Sequence, residues 1–314
     1  MRRNDVNWQG YWPAAPTPFT ADGAIDEPAW HGLLELYVAQ GMHGILVNGT
    51  TGEWFSQTPE ERQRLAALAV EIVRGRIPVL IGCTTFRVAD TIDLAEHAAD
   101  IGADGVLCTP PPYAVPTPDE VVAFYSMVAR GIRLPLMVYN WPPGVNVDID
   151  TETAVRLASI DRIVAIKDST PNQEQLFRTL EATVDQVRFL GNFISQLGIF
   201  AVRDLGADGF IGAGALLGSL QPRFFESIWA GDLVTAREIA RKNTHLMAQI
   251  SNPDWSGKYG APQSQLKAAM NMMGQPGGYP RAPRLPIEDP AKLRAIRTAL
   301  ESVGMLTEAK VAST

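Results

Sequence analysis

The sequence of 314 residues is poor in cysteine and histidine, with two residues of the first kind and four of the second. Two cysteines cannot form the disulfide framework of a secreted domain, so the composition predicts a reducing, cytoplasmic location. The histidines, at positions 31, 43, 97 and 245, show no His-Glu-x-x-His spacing, and no paired Cys-x-x-Cys is present. We therefore expect no metal site.

An excess of positive charge and long apolar runs are also missing. The 34 acidic residues outnumber the 27 Lys and Arg residues, giving a net charge of -7, which argues against a nucleic-acid partner. No run approaches the roughly 20 apolar residues of a membrane helix. No apolar segment follows the two arginines near the N-terminus, so we expect no secretory signal.

Short apolar segments rich in β-branched residues recur along the chain, separated by gaps that each have room for one helix. The predicted strands are 11–15, 45–47, 79–81, 106–107, 136–138, 163–166, 187–190 and 210–211. Segments that are apolar on both faces are typical of parallel strands buried on both sides. Strict alternation of strands and helices predicts an α/β fold, a (β/α)8 TIM barrel.

Three Thr-Pro pairs mark predicted helix starts, at Thr58, Thr117 and Thr170. In each, threonine can cap the helix, proline takes the first helical position, and Glu or Gln three residues after the cap can close a capping box. Beyond about residue 221 we expect helices over 224–242, 263–273 and 289–303, with no strand between them. We therefore divide the chain into a catalytic barrel (1–230) and a helical region packed on it (231–314), whose residues 308–314 should lack regular structure.

Lys167 is the most informative of the residues at the predicted strand ends, where barrel enzymes place their active sites. An amine at the barrel mouth, surrounded by apolar strands, has a lowered pKa and suits a Schiff base with a carbonyl substrate. A lysine that extends into solvent beside Asp168 is the alternative, and position alone does not decide between them. Alternation along the strand predicts that Lys167 and Asp168 point to opposite sides.

Two further strand ends carry groups that would complement this amine. Tyr139 ends the preceding strand, where its phenol can transfer protons, although a core tyrosine gives the same pattern. The turn Gly49-Thr50-Thr51-Gly52 offers backbone N–H groups and two hydroxyls to a carboxylate, although a glycine-rich turn alone is not specific. The glycines of 212–218 lack the G-x-G-x-x-G spacing, which argues against a dinucleotide site.

Three motifs occur in order on these strand ends: Gly49-Thr50-Thr51-Gly52-Glu53, Tyr139-Asn140-x-Pro142 and Ile166-Lys167-Asp168. Together they resemble the dihydrodipicolinate synthase / N-acetylneuraminate lyase superfamily, and the resemblance covers roughly residues 8–305. It implies a class I lyase on a (β/α)8 barrel with a helical C-terminal region, without metal or other cofactor. It also implies a homotetramer, a dimer of dimers, that binds pyruvate or a related 2-oxo acid as an imine.

The resemblance also implies roles for individual residues. Lys167 is the imine lysine and Tyr139 the phenol that transfers protons. Thr50 and Thr51 bind the carboxylate of the 2-oxo acid, and the Thr51 hydroxyl forms a relay to Tyr139. Tyr113 matches the tyrosine that completes this relay across a dimer interface.

Four more residues complete the predicted substrate-binding set. Gly191 and Ile211 match positions that line the pyruvate pocket in the family that this sequence resembles. Asn192 follows the seventh predicted strand, and Trp141 follows the fifth, where it makes the entrance rather apolar.

The sequence departs from the dihydrodipicolinate synthases after its Tyr-Asn-x-Pro motif. Those enzymes carry an arginine there for the distal carboxylate of their substrate, whereas residues 139–146 here read YNWPPGVN. A missing carboxylate partner in a desolvated site costs a few kcal/mol. We hypothesise that the second substrate is an aldehyde or related acceptor other than aspartate semialdehyde.

The sequence thus predicts a Schiff-base lyase, an aldolase or a dehydratase/hydratase-aldolase, acting on pyruvate or a related 2-oxo acid. One alternative is 4-hydroxy-tetrahydrodipicolinate synthase, and another is a catalytically silent barrel with a binding or regulatory role.

Overall fold

Eight parallel strands close into a barrel in the order in which they follow along the chain, in a computed structural model that describes residues 1–306. The strands are β1 (Gly10–Ala14), β2 (Ile45–Val47), β3 (Val79–Gly82), β4 (Gly105–Cys108), β5 (Leu136–Asn140), β6 (Ile163–Asp168), β7 (Arg188–Leu190) and β8 (Gly209–Ala213). The barrel closes where β1 pairs with β8. The predicted (β/α)8 barrel is confirmed, including a first strand that contains proline.

Helices follow the strands and then continue beyond the barrel. They are α1 (Glu27–Ala39), α2 (Pro59–Val73), α3 (Val88–Asp100), α4 (Pro118–Gly131), α5 (Pro142–Val145), α6 (Thr151–Ala158), α7 (Gln173–Thr183), α8 (Gln196–Asp204), α9 (Leu220–Trp229), α10 (Leu233–Ile250), α11 (Pro262–Met272) and α12 (Pro290–Ser302). Short 3-10 helices cover Arg3–Asp5 and Trp54–Ser56. Within residues 1–306, none of the helices combines the length and the apolar character needed to cross a bilayer.

Successive residues of the strands point alternately into the barrel and towards the helices. Leu46, Leu80, Leu107 and Met137, from four consecutive strands, pack with Trp12 in one cluster inside the barrel. Their neighbours along the strands join a larger cluster between the strands and the helices. Both faces of each strand are therefore covered, which explains why the strand sequences are mostly apolar.

Two of the three predicted threonine caps are confirmed. The hydroxyls of Thr58 and Thr117 accept hydrogen bonds at the starts of α2 and α4 and form capping boxes. The prediction for Thr170 is wrong, because Asn172 caps α7 instead. The backbone N–H of Thr170 donates to Asp168 over 2.9 Å, and its hydroxyl accepts from the N–H of Asn172 over 3.2 Å. These bonds hold Thr170 in a turn ahead of the helix.

The C-terminal region contains one more helix break than predicted. The expected helix over 224–242 is instead α9 and α10, separated at Gly231, whose φ of 78° lies in the left-handed region that favours glycine. The helices expected over 263–273 and 289–303 are confirmed as α11 and α12, each within about one residue at either end. Leu246, Leu266 and Leu300 join the same apolar cluster as the barrel helices. The boundary at residue 230 stays a prediction, and residues 308–314 lie outside the described residues.

Candidate active site

Lys167 lies near the end of β6, opposite Tyr139 of β5 and Leu190 of β7. Its side chain is 5% exposed, which excludes a lysine that extends into solvent. Burial lowers the pKa of its amine from 10.5 to about 7. A large part of the amine is therefore unprotonated near neutral pH, the state in which nitrogen is a nucleophile.

The phenol ring of Tyr139 lies directly against this amine. The Lys167 Nζ atom is 3.8 Å from the centroid of the Tyr139 ring. The ring also stacks on Trp141, with centroids 6.2 Å apart and planes 19° from parallel. Burial raises the pKa of the phenol, while the side chains of Ser169 and Thr50 interact with it and partly offset that rise. The phenol therefore stays protonated at neutral pH and has two hydroxyl neighbours.

Asp168 points away from the amine, as strand alternation predicted. Its carboxylate accepts hydrogen bonds from the backbone N–H of Thr170 over 2.9 Å and from Asn140 Nδ2 over 3.1 Å. Burial raises the pKa of this carboxyl to about 7. Asp168 thus fixes the loop after β6 on the helix side of the barrel.

The turn after β2 is held in place by residues from the C-terminal helices. Asn48 and Glu53, on either side of the turn, adopt left-handed backbone conformations with φ of 55° and 58°. The carboxylate of Glu53 is fully buried and pairs with the ammonium of Lys267 from α11. Gln263, also on α11, donates from Nε2 to the carbonyl oxygen of Thr50 over 3.1 Å. These contacts fix the position of the two threonines relative to the strand ends.

A cavity of about 220 Å³ lies over these groups. One side consists of strand ends, and the other consists of α10, the loop after it and the start of α11. Seven of the predicted site residues line it: Thr50, Thr51, Tyr139, Trp141, Lys167, Asn192 and Ile211. The cavity therefore unites the amine, the phenol and the threonine turn in one space.

The sequence matches the dihydrodipicolinate synthetase family over residues 7–302. The chain belongs to this family. An uncharacterized DapA-like lyase of Rhizobium meliloti is 30% identical over 96% of this chain and 98% of that protein. A 4-hydroxy-tetrahydrodipicolinate synthase of Geobacter sulfurreducens is 33% identical over 92% of this chain and 97% of that protein.

A solved structure agrees with the family membership. YagE, a prophage protein of E. coli K12 belonging to the dihydrodipicolinic acid synthase family, was crystallised in complex with pyruvate. It is 25% identical to this chain and superposes with a TM-score of 0.87, covering 96% of this chain and all of YagE. The resemblance carried by the three sequence motifs is thereby confirmed.

Two predicted site residues of this family member lie away from the cavity lining. Gly191 is buried, and a Cβ atom there would lie 2.6 Å from the ring of Phe193, so this glycine serves the packing of the β7 end. Tyr113, in the loop after β4, is 91% exposed and has a φ of 82°. Its assignment to a relay across a dimer interface stays a prediction.

Sequence reasoning missed three residues that shape the site. Ser169 directly follows the Lys-Asp pair, and a hydroxyl at a strand end is the pattern that could have identified it. Gln263 and Lys267 lie more than 200 residues after the turn that they contact. No local pattern indicates such a contact, because the two partners lie on elements that are far apart along the chain and meet only in the fold.

The cysteines and the acidic groups complete the description of the site region. Cys83 and Cys108 are buried free thiols, and burial raises the pKa of Cys83 to about 12. Among residues 1–306, no three His, Cys, Asp or Glu side chains group together in a way that could hold a metal ion.

Proposed function

We propose that this chain is a lyase that joins Lys167 to the C2 carbonyl of pyruvate or a related 2-oxo acid as an imine. It then makes or breaks a bond at the carbon atom next to that carbonyl. The observation that carries the proposal is the buried Lys167 amine, its pKa lowered to about 7, with Nζ 3.8 Å from the centroid of the Tyr139 ring. Membership of the dihydrodipicolinate synthetase family supports the lyase assignment, and the pyruvate bound by YagE supports the substrate class.

The first steps follow from the properties of the Lys167 amine and the Tyr139 phenol. The neutral Lys167 amine attacks the carbonyl carbon, and the carbinolamine then loses water to give the imine. Tyr139, protonated at neutral pH, donates a proton to the departing oxygen and later returns one to the substrate. The imine withdraws electrons, so a proton or a carbon fragment can leave from the next carbon and an enamine forms. The protein's own groups suffice for these steps, and we propose no cofactor.

We assign the two threonines differently from the sequence prediction. Both remain the proposed binding site of the 2-oxo acid carboxylate, through the backbone N–H groups and hydroxyls of their turn. The relay to Tyr139 was predicted for Thr51, whereas the influence of the Thr50 side chain on the pKa of the phenol supports Thr50 in that role. We therefore propose Thr50 as the relay residue and Thr51 as a carboxylate ligand.

The assembly and location remain part of the same proposal. We propose a homotetramer, a dimer of dimers, in which Tyr113 reaches the site of the neighbouring subunit. An aromatic side chain that is 91% exposed on a strained backbone fits an interface position. We further propose a cytoplasmic enzyme with a barrel over 1–230 and an attached helical region from residue 231.

The second candidate is 4-hydroxy-tetrahydrodipicolinate synthase, which the names of several relatives favour. The missing arginine after Tyr-Asn-Trp-Pro favours a different acceptor. A silent barrel has no need for a buried amine, a protonated phenol and a threonine turn in one cavity.

Trapping of the imine tests the proposal. The protein is incubated with pyruvate and reduced with sodium borohydride, and its peptides are then weighed. We expect the mass of one reduced pyruvyl group on the peptide containing Lys167. Lys167→Ala should give no adduct, whereas Lys292→Ala, at an exposed position of α12, should label like the wild type. No adduct with pyruvate or any other 2-oxo acid would support the silent barrel.

A further inference from the structure

The lining of the cavity beyond the strand ends is largely apolar, although Asn243, Ser251 and Gln265 also contribute to it. Leu216, in the loop after β8, and Leu246, Ile250 and Leu266, from α10 and α11, all line the cavity and are at most 8% exposed. Met247 of α10 lies beside them and is half-buried. A molecule bound to the amine would contact mainly hydrocarbon on this side.

The charged side chains of the cavity lining also indicate which ligands the cavity can bind. Among the described residues, Lys167 is the only Lys, Arg, Asp or Glu that lines it. Asn243 Nδ2, a neutral donor, is already used by the carbonyl of Ile194 over 2.8 Å. Burying a second carboxylate here would leave it without a cation, which costs several kcal/mol.

Two residues of the lining each carry a buried polar atom without a hydrogen-bond partner among the described residues. These atoms are Nε1 of Trp255, which donates, and Oε1 of Gln263, which accepts. One neutral donor and one neutral acceptor suit a hydroxyl or similar group, because a carboxylate only accepts.

We infer that the second substrate is a neutral aldehyde with a largely apolar body, aromatic or branched aliphatic, and that this wall selects it over aldehydes bearing a carboxylate. The inference rests on the proposed imine with pyruvate. The enamine carbon derived from the pyruvate methyl group attacks the aldehyde carbon, and the aldehyde oxygen takes a proton and becomes a hydroxyl. Water then hydrolyses the imine, which releases a 4-hydroxy-2-oxo acid and regenerates the Lys167 amine. The water consumed replaces the water lost when the imine formed, and no oxidant or reductant is required.

The test compares two aldehydes on the same enzyme. Pyruvate is supplied with either benzaldehyde or aspartate semialdehyde, and product formation is followed by chromatography and mass spectrometry to obtain kcat/KM for each. We expect kcat/KM for benzaldehyde to exceed that for the semialdehyde by about tenfold or more. An equal or reversed preference, or no product from benzaldehyde, would overturn the inference.

A charge placed in the wall tests where this preference arises. In Met247→Arg the ratio of kcat/KM for benzaldehyde to kcat/KM for the semialdehyde should fall by about tenfold or more. The guanidinium can pair with the carboxylate of the semialdehyde, and it disfavours a hydrocarbon body beside it. Met127→Arg introduces the same change on the outer surface of α4, where Met127 is 43% exposed, and should leave the ratio unchanged. An unchanged ratio in Met247→Arg would count against the inference, and a ratio does not depend on how much of the variant folds.

Borohydride trapping separates the two possible failures. An adduct on Lys167 together with a preference for the semialdehyde overturns this inference alone. If no 2-oxo acid gives an adduct, the proposed function fails and the inference fails with it.

Discussion

Replacing Lys167 by methionine should stabilise the protein, by an amount that depends on pH. The folded state holds the amine at a pKa of about 7, against an ordinary value of 10.5. Each pH unit between these values corresponds to about 1.36 kcal/mol, so at pH 6, where both states are protonated, burial of the cation costs at most about 5 kcal/mol. At pH 9 the folded amine is neutral but the unfolded one is still protonated, and the cost falls to about 2 kcal/mol. The free-energy cost of burying the amine is therefore largest below pH 7, and it falls to zero as the pH rises to 10.5.

Urea unfolding of the wild type and Lys167→Met, followed by tryptophan fluorescence at pH 6 and pH 9, measures this difference. We expect the variant to be more stable at both pH values, and its advantage to shrink by about 3 kcal/mol between them. Lys292→Met, an exposed change on α12, should unfold like the wild type at both. Equal urea midpoints for Lys167→Met and the wild type at pH 6 would refute the claim that burial lowers the pKa of the Lys167 amine. The physical argument for Lys167 as a nucleophile would fail with it.

Three further outcomes follow from the contacts at the site. Tyr139→Phe should lower kcat about 10²- to 10⁴-fold in a coupled assay, with an unchanged circular dichroism spectrum, because proton transfer is lost; near-normal turnover would exclude the phenol from the chemistry. Thr50→Val should lower kcat more than Thr51→Val does, whereas Thr51→Val should mainly raise KM for pyruvate, and the opposite split would restore the relay to Thr51. Glu53→Gln should lower the free energy of unfolding in urea by about 3–5 kcal/mol, because it leaves the Lys267 ammonium buried without a counter-charge. Adding Lys267→Met should recover part of that loss, and no recovery would contradict the pairing.

The barrel was predictable because its strands are covered on both faces. Apolar segments such as 45–47 and 163–166 stand out from the amphipathic helices between them, and even Pro13 did not prevent β1 from forming. Helix ends were less predictable, because they depend on local competition for hydrogen bonds. Thr170 has the sequence of a cap, yet Asp168 and Asn172 hold it in the preceding turn.

The sequence could predict the residues that the strands contribute to the site, but not those that the helices contribute. Lys167 and Tyr139 each stand near the end of an apolar segment, and the three motifs together, rather than position alone, indicate their roles. The apolar wall of α10, in contrast, has the composition of any packed helix, and only the fold shows that Leu246 and Ile250 face the amine's cavity. Contacts between residues more than 200 positions apart, such as Glu53 with Lys267, leave no periodic trace in a single sequence.

On the proposed function, the two faces of the cavity divide the work of the enzyme between separate stretches of the chain. The amine, the phenol and the threonine turn all lie before residue 170, whereas much of the wall that would contact the second substrate comes from residues 243–257. A short segment exchanged between family members could thus redirect the enzyme to another aldehyde while the reactive lysine keeps its surroundings. Overall sequence identity is then a weak guide to the acceptor, and the residues of this segment, read together with those after the Tyr-Asn-Trp-Pro motif, are a better one.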